Sequence, residues 1–287
     1  MANEGTILVT GATGKQGGAT ARHLLERGFR VRARTRNPEG EAAQQLKQKG
    51  AELVAGDFDD AASLERALDG AWGAFAVQPL ERGPAVEIVN GERFGRMARQ
   101  KGVTHLVYSS VGSAHRNTGI PHFESKWTTE QTLRGLGFPR LTILRPVYFM
   151  ENLLSPWTLR GDQLVSWISP DRELQMIAVD DIGKFGALAF ARSEQLAGAA
   201  IDIAGDSVTM TQAASILSSA RGRPVTLVRQ SIDEIRKTSE DLASMAEWFE
   251  RVGYDADMPA LKRTYDVPLL TLADWARTAF GGEGVAA

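Results

Sequence analysis

A glycine-rich turn between an apolar run and a helical pattern constrains the fold of this chain more than any other feature. Gly11, Gly14 and Gly17 stand at three-residue spacing within residues 6–25, TILVTGATGKQGGATARHLL. The first glycine permits a backbone angle that a Cβ would penalise, the second lets the chain approach a pyrophosphate, and the third lets the helix lie close to the sheet. Amides at the helix N-terminus then face the anion. The turn predicts a dinucleotide site; a tight turn without a ligand is the alternative.

Apolar runs alternate with helical patterns from this turn to residue 145. The runs are TILVT, RVRART, AELVAG, WGAFAV, THLVYSS and RLTILR, and helical patterns separate them. Such an order is typical of βαβ units, whose right-handed crossovers place the strands in one parallel sheet with helices on both faces. The sequence therefore predicts an α/β fold with a doubly wound, Rossmann-type parallel sheet.

The alternation stops after Arg145, where residues 146–176 are rich in aromatic residues and proline. The sequence predicts further helix starts at Asp180, Thr209, Ser231 and Thr271. We expect residues 1–145 to form the dinucleotide-binding core and residues 146–280 to form a smaller α/β lobe with segments that return to the core. Residues 281–287, GGEGVAA, have no core-forming content and are expected to be a disordered tail.

Composition excludes several classes of protein and site. The formal charge is −2 and no basic block occurs, which disfavours nucleic acid and anionic lipid as partners. Without cysteine there are no disulfides or catalytic thiolates, and the histidines form no metal-binding pair, so no metal is expected. No stretch approaches the roughly 20 apolar residues of a membrane span, and the N-terminus lacks a leader pattern. We expect a cytoplasmic protein, monomeric or homodimeric.

The ends of the second and third strand patterns indicate which dinucleotide binds. Where a site for NAD(H) has an acidic residue, this chain has RARTRNP, with Arg34 and Arg36 and no carboxylate. A guanidinium can hold a 2′-phosphate through two charge-assisted hydrogen bonds, which favours NADP(H), unless the arginines are only a solvated strand end. Asp57 and Phe58 are expected beside the adenine, whereas the next two aspartates are equally compatible with helix capping.

Chemistry in a doubly wound sheet is expected outside the carboxyl ends of its strands. The candidates there are Gln78, Pro79, Ser109, Ser110 and the segment HFESK. Within that segment His122 and Lys126 are four residues apart and share a helix face. Lys126 could bind the hydroxyls of the nicotinamide ribose and His122 could donate a proton; a structural or exposed histidine is the alternative.

The segments VTGATGKQGG, TRNP, GDFDD, HFESK and RPVYFMEN occur in this order. Together they resemble the NmrA-like family of atypical short-chain dehydrogenases, over almost the whole chain. The resemblance implies cofactor contacts at Gly11, Thr13, Gly14, Gln16 and Gly17, a phosphate contact at Arg36 with Asn37 nearby, an adenine contact at Asp57, and contacts near the nicotinamide at Gln78, Lys126, Phe149 and Asn152.

The same resemblance leaves the chemistry open. Typical short-chain dehydrogenases use a tyrosine four residues before the lysine as general acid, and this chain has His122 there, with Tyr108 inside the fifth strand. One hypothesis is an NADPH-dependent reductase of quinones or other flat, electron-poor acceptors, which take hydride directly and can draw the proton from water. The aromatic stretch VYFMENLLSPW could wall an apolar pocket for such an acceptor, or simply pack in the core.

Two other functions fit the same motifs. Relatives with this histidine-for-tyrosine pattern are redox sensors that bind NADP(H) without turnover and regulate a protein partner. Such a role needs only unequal cofactor binding to two conformations, for which ordering of residues 146–172 is a candidate. A neighbouring group of reductases or isomerases of phenolic natural products has similar glycine turns and also relies on a lysine here, so Lys126 does not separate them.

Overall fold

The computed structural model describes residues 5–79 and 82–281. Of the tail predicted to be disordered, only Gly281 falls inside these ranges; residues 282–287 lie outside them. In the described part of the chain, no helix is long and apolar enough to cross a membrane.

The first half of the chain forms alternating strands and helices. They are β1 (Thr6–Val9), α1 (Lys15–Glu26), β2 (Arg30–Thr35), α2 (Glu41–Gln48), β3 (Glu52–Ala55), α3 (Ala61–Leu68), β4 (Ala71–Ala76), α4 (Pro84–Gln100), β5 (His105–Ser109), α5 (Pro121–Gly135) and β6 (Arg140–Pro146). This part matches the predicted strand-helix units one for one.

The second half is less regular and contains short strands. Its elements are β7 (Tyr148–Phe149), β8 (Leu159–Arg160), β9 (Gln163–Ser166), β10 (Glu173–Ile177), α6 (Val179–Ala191), β11 (Ala200–Ile203), β12 (Asp206–Thr209), α7 (Met210–Arg221), β13 (Thr226–Arg229), α8 (Ile232–Arg236), α9 (Glu240–Arg251), α10 (Met258–Tyr265) and α11 (Leu272–Phe280). Two short 3₁₀ turns lie at Ala114–Arg116 and Met150–Leu154.

Seven strands form one sheet in the order β11-β6-β5-β4-β1-β2-β3, and every neighbouring pair is parallel. The chain moves outward from β1 in one direction and then returns to β4 on the other side of β1. This switch opens a crevice at the carboxyl ends of β1 and β4. The doubly wound, Rossmann-type sheet is confirmed.

Alternate residues of the central strand enter different cores. Ile7 and Val9 pack with α1 and α6 on one face, whereas Leu8 packs with α3, α4 and α5 on the other. The helix α6 packs directly against α1. At Gly183 there is no room for a side chain, since a Cβ would stand 2.6 Å from the Ala19 carbonyl carbon. Both faces of the sheet are therefore covered, and a helix from the second half covers one of them.

The second half also builds small sheets of its own. Their orders are β12-β10-β7 and β13-β9-β8, and they share an apolar core with α7, α9 and α11. Thr209, Ser231 and Thr271 cap helices, as predicted. The helix predicted at Asp180 begins one residue earlier, because the Glu151 carboxylate accepts hydrogen bonds from the Val179 amide at 3.0 and 3.1 Å.

Candidate functional site

The glycine turn after β1 is tightly packed and leaves amides free. Gly11 has φ +59°, where a side chain would be strained, and a Cβ on Gly17 would lie 2.3 Å from the Gly11 carbonyl oxygen. The N-cap of α1 is Gly14, so no side chain caps the first amides of the helix. Thr10 fixes the turn to β4, since its hydroxyl donates to the Val77 carbonyl and accepts from the Val77 amide.

A cavity of about 420 Å³ opens in front of this turn. Of the residues singled out from sequence, Gly11, Thr13, Gly14, Gln16, Gly17, Arg36, Asp57, Phe58, Gln78 and Phe149 line it. Asn37, His122, Lys126 and Asn152 do not line it. The cavity therefore joins the carboxyl ends of β1 to β4 with one residue from the second half of the chain. Sequence reasoning did not single out Asn90, a buried residue of α4 that also lines it.

Two arginines of different burial stand at the β2 end of the cavity. Arg36 is exposed, and Arg34 is only 5% exposed with its guanidinium 4.0 Å from the centre of the Phe58 ring. Among the described residues, the buried Nε and Nη1 atoms of Arg34 have no hydrogen-bond partner. Burial lowers the pKa of Arg34 to about 10, Asp57 opposes this change, and Arg36 adds to it. Arg34 therefore still carries its charge at neutral pH.

The aspartates after β3 form most of their hydrogen bonds within their own segment and with the start of α3. The Asp57 carboxylate accepts a hydrogen bond from the Asp59 amide at 3.0 Å, and Asp60 caps α3 through the Ser63 amide at 3.1 Å. Asp59 forms an ion pair with Arg82 rather than capping the helix. The helix-capping alternative is thus confirmed for Asp60 alone, while Asp57 faces the cavity.

Asn37 and Asn152 lie near the cavity without lining it. The Asn37 side chain accepts a hydrogen bond from the Glu39 amide at 3.2 Å and so shapes the loop after β2. Asn152 lies in the 3₁₀ turn that follows Phe149, and its carbonyl accepts from Ser155.

Lys126 is held by an acidic residue that the sequence did not single out. Its Nζ lies 2.7 Å from Oε1 of Glu87, a residue of α4, and donates to the Ser109 carbonyl at 3.4 Å. The Ser109 hydroxyl in turn donates to the Gln16 side chain at 2.5 Å. This chain of contacts connects Lys126 to the cavity wall through the end of β5.

His122 points toward a different partner. Its Nδ1 lies 2.6 Å from Oδ2 of Asp241 in α9, and its backbone amide donates to the other oxygen of that carboxylate at 2.9 Å. Burial alone would raise the pKa of Asp241, but the hydrogen bond and charge of His122 outweigh it and the net shift is downward. The imidazole thus joins the start of α5 to the second half of the chain.

Neither tyrosine nor serine near β5 replaces the missing general acid. Tyr108 is completely buried, and burial, reinforced by Glu87, raises its pKa well above 10. The Ser110 hydroxyl donates to Glu130, which forms a buried bidentate pair with Arg145 at 2.7 and 3.0 Å. Of the aromatic stretch after β6, Phe149 lines the cavity, whereas Trp157 is 77% exposed.

The family comparison matches most of the chain. A family model described as the NmrA-like family matches residues 3–276. The oxidoreductase himF of Aspergillus japonicus, described as containing an NmrA-like family domain, is 38% identical over 161 residues, which are 52% of this chain and 48% of that protein. The similarly described malD of Malbranchea aurantiaca is 32% identical over 199 residues, 57% of this chain and 59% of that protein. The chain thus spans about half the length of these relatives.

Several solved structures share the fold. NmrA, described as a negative transcriptional regulator and crystallised with NADP, has a TM-score of 0.80 at 20% identity and covers 98% of this chain and 97% of its own. The Citrobacter triphenylmethane reductase with NADP(H) has a TM-score of 0.81 at 21% identity, covering 96% and 99%. An NADPH-dependent quinone oxidoreductase from Escherichia coli, crystallised with NADPH, has a TM-score of 0.80 at 24% identity, covering 96% and 99%. These similarities extend over nearly the full length of each chain.

Proposed function

Since this chain belongs to the NmrA-like family, we propose that it binds NADP(H) and is an NADPH-dependent reductase of quinones or other flat, electron-poor acceptors. One observation carries the cofactor assignment: a helix N-terminus that no side chain caps opens into the same cavity as Arg36 and Arg34, and two buried nitrogens of Arg34 have no hydrogen-bond partner among the described residues. A pyrophosphate suits the first feature and a 2′-phosphate suits the second.

The residues present fit this cofactor. A Cβ on Gly17 would fill the space where the turn folds against its own carbonyls, so the turn keeps its shape only with glycine. Arg36 would hold the 2′-phosphate, and Asp57 with Phe58 would border the adenine. Lys126 would donate to the ribose of the nicotinamide nucleotide, with Gln78 and Phe149 beside it.

The chain's own part in the reaction is to bind and orient. When bound, NADPH supplies the hydride that reduces the acceptor. Lys126 fixes the nicotinamide nucleotide with a charged donor, and Phe149 covers the cavity on the side of the second half of the chain. A quinone or cationic dye can accept its proton from water, so the position of a general-acid tyrosine need not be filled by a proton donor. His122, bound to Asp241, is free of that requirement.

A second candidate function is an NADP(H)-sensing regulator that acts through a protein partner. The observation in its favour is that His122 replaces the tyrosine and is engaged by Asp241 of α9, 119 residues away in sequence. This contact links the start of α5 to residues 146–280, which we propose form the lobe for the acceptor or the partner. A regulator needs unequal cofactor binding to two arrangements of that lobe and no turnover.

The rate of NADPH oxidation separates the two functions. The purified chain is assayed with a panel of quinones and cationic dyes, beside Lys126→Ala. We expect turnover on the order of 1 per second or faster, and its loss in the variant. A preparation that binds NADPH but oxidises none of the panel would replace the reductase with the sensor.

A further inference from the structure

A buried carboxylate stands behind Lys126. Glu87 in the first turn of α4 has a side chain that is 1% exposed, and its Oε1 lies 2.7 Å from Lys126 Nζ. Its Oε2 accepts a hydrogen bond from the Ser125 hydroxyl at 2.5 Å. A carboxylate taken out of water is costly unless it is paired and hydrogen-bonded. Glu87 meets this cost through α5, the helix that carries Lys126: Oε1 forms the ion pair and Oε2 accepts the hydrogen bond.

The contacts of Lys126 leave part of its ammonium unused. An ammonium has three N–H donors; Nζ donates one to the Ser109 carbonyl, and the Glu87 carboxylate is its ion-pair partner. The Lys126 side chain is 11% exposed. Donor capacity thus remains for a ligand hydroxyl, while Ser109 and Glu87 restrict the position of the ammonium.

α4 and α5 also pack closely at positions other than this pair. A Cβ on Gly91 would lie 2.5 Å from Thr129, and one on Gly95 would lie 2.3 Å from Leu133. The same helix α4 brings Asn90 to the cavity one turn after Glu87. α4 therefore carries both the partner of Lys126 and a residue of the cavity wall.

We propose that Glu87 is a positioning residue for the cofactor: its carboxylate, 2.7 Å from Lys126 Nζ, holds the ammonium in place and directs it toward the ribose of the nicotinamide nucleotide. This inference rests on the proposed NADP(H) function and names a residue on which that function depends. The same pair also explains how Lys126 keeps a fixed position beside β5 in a chain that lacks the usual tyrosine. The effect of Glu87 reaches the cofactor only through Lys126.

The test removes the charge and keeps the shape. In Glu87→Gln the amide oxygen can face Lys126 while the NH2 group donates to the Ser125 hydroxyl, so the size of the side chain is kept but the ammonium has no counter-charge. Dissociation constants for NADPH and NADH are measured by titration at pH 7. We expect both affinities to fall by the same factor of about 10, because both nucleotides carry the ribose that Lys126 would contact.

Two further variants control the result. Glu92→Gln changes another carboxylate of α4 that is bonded to α5, through Thr132 at 3.1 Å, and we expect both binding curves to stay as in the wild type. Glu87→Asp keeps the charge but withdraws the carboxylate, so both affinities should fall by a smaller factor than in Glu87→Gln. This variant carries the test if Glu87→Gln does not fold, and unchanged affinity in it would then overturn the inference.

Other outcomes identify which proposal fails. Superimposable curves for Glu87→Gln and the wild type overturn the role of Glu87 and leave NADP(H) binding standing. If Lys126→Met also binds both cofactors normally, Lys126 is not at the cofactor and the inference falls with it. A wild-type chain that binds neither nucleotide overturns the proposed function and this inference together.

Discussion

The two ends of the cavity region differ in whether their basic side chains have carboxylate partners within the protein. At the β2 end, Arg34 and Arg36 have no carboxylate in hydrogen-bond contact, and two nitrogens of Arg34 are buried without a partner in the part of the chain described. At the β5 end, Lys126 is paired with Glu87 and His122 with Asp241. At the β2 end, a bound anion can therefore pair with the arginines. At the β5 end, carboxylates of the protein already pair with the basic side chains.

This difference suggests separate roles for the two ends, one in cofactor affinity and one in cofactor orientation. Unpaired guanidinium groups gain most when an anion arrives, because they lose no protein partner on binding. A lysine fixed by a buried carboxylate changes little on binding and serves as a constant charge. We infer that the β2 end selects the cofactor, while the β5 end orients it.

The largest expected effect comes from the turn between the two ends. Gly17→Ala would place a Cβ 2.3 Å from the Gly11 carbonyl oxygen and 2.5 Å from that of Thr10. Because backbone must move, we expect a loss of about 3 kcal/mol in the free energy of unfolding, measured with urea, and loss of NADPH and NADH binding alike. Gly135→Ala is the matched control, since open space surrounds that glycine in a helix. Normal binding by Gly17→Ala would remove the pyrophosphate from this turn.

The next effect tests the selectivity of the β2 end. Arg36→Ala should weaken NADPH binding by about 2 kcal/mol and leave NADH binding nearly unchanged, because only NADPH carries the 2′-phosphate. Calorimetric titration measures both, and Arg36→Lys should lose part of the preference because it cannot bind the phosphate in a bidentate manner. Equal losses for the two nucleotides would contradict the assignment.

A smaller effect separates the two arginines. Arg34→Met keeps an unbranched stem beside Phe58 but removes a buried charge without a hydrogen-bond partner. We expect NADPH affinity to fall by about 1 kcal/mol while the free energy of unfolding of the cofactor-free chain stays level or rises by up to about 1 kcal/mol. Urea unfolding and titration measure the two quantities. Reduced stability with unchanged affinity would make Arg34 a structural residue and weaken the contrast between the ends.

The smallest effect concerns pH and the His122 pair. The pKa of Asp241 is lowered in the folded chain, so its ionised form contributes stability above about pH 4, and that stability is lost as the pH falls through the folded pKa. Between pH 5 and 2, the wild type should therefore lose more unfolding free energy than Asp241→Asn, by less than about 1 kcal/mol. Urea unfolding at several pH values checks this.

The same variant tests whether the β5 end is chemically silent. Asp241→Asn should leave the pH profile of NADPH oxidation unchanged if His122 has only a structural role. A displaced profile with normal cofactor affinity would assign His122 to proton transfer, as the sequence alone allowed.

Local patterns predicted the sheet and the glycine turn well. The alternation of apolar runs with helical patterns predicted the parallel, doubly wound sheet, and the positive φ of Gly11 follows from its place between a strand and a helix. Asp60 as a helix cap and the position of Gly17 are likewise set by neighbours within a few residues. Features fixed by nearby residues are the ones a sequence pattern can specify.

Pairings across the fold could not be predicted in the same way. Glu87 in sequence looks like one acid on the solvent side of α4, and only the packing of α4 on α5 places it against Lys126. Asp241 is 119 residues from His122, and no spacing connects them. The burial of Arg34 depends on Phe58 after another strand. The partners of these residues are set by tertiary contacts. For that reason the sequence alone assigned Lys126 and His122 to the ligand and did not show their carboxylate partners.

Dissociation constants of the wild-type chain for NADPH and NADH, measured in one buffer at one ionic strength, test the central claim most directly. Arg34 and Arg36, with no carboxylate in the sequence at the end of β2, predict that NADPH binds at least about 10-fold more tightly. Equal affinities, or tighter binding of NADH, would contradict the claim that this end of the cavity is built for a 2′-phosphate.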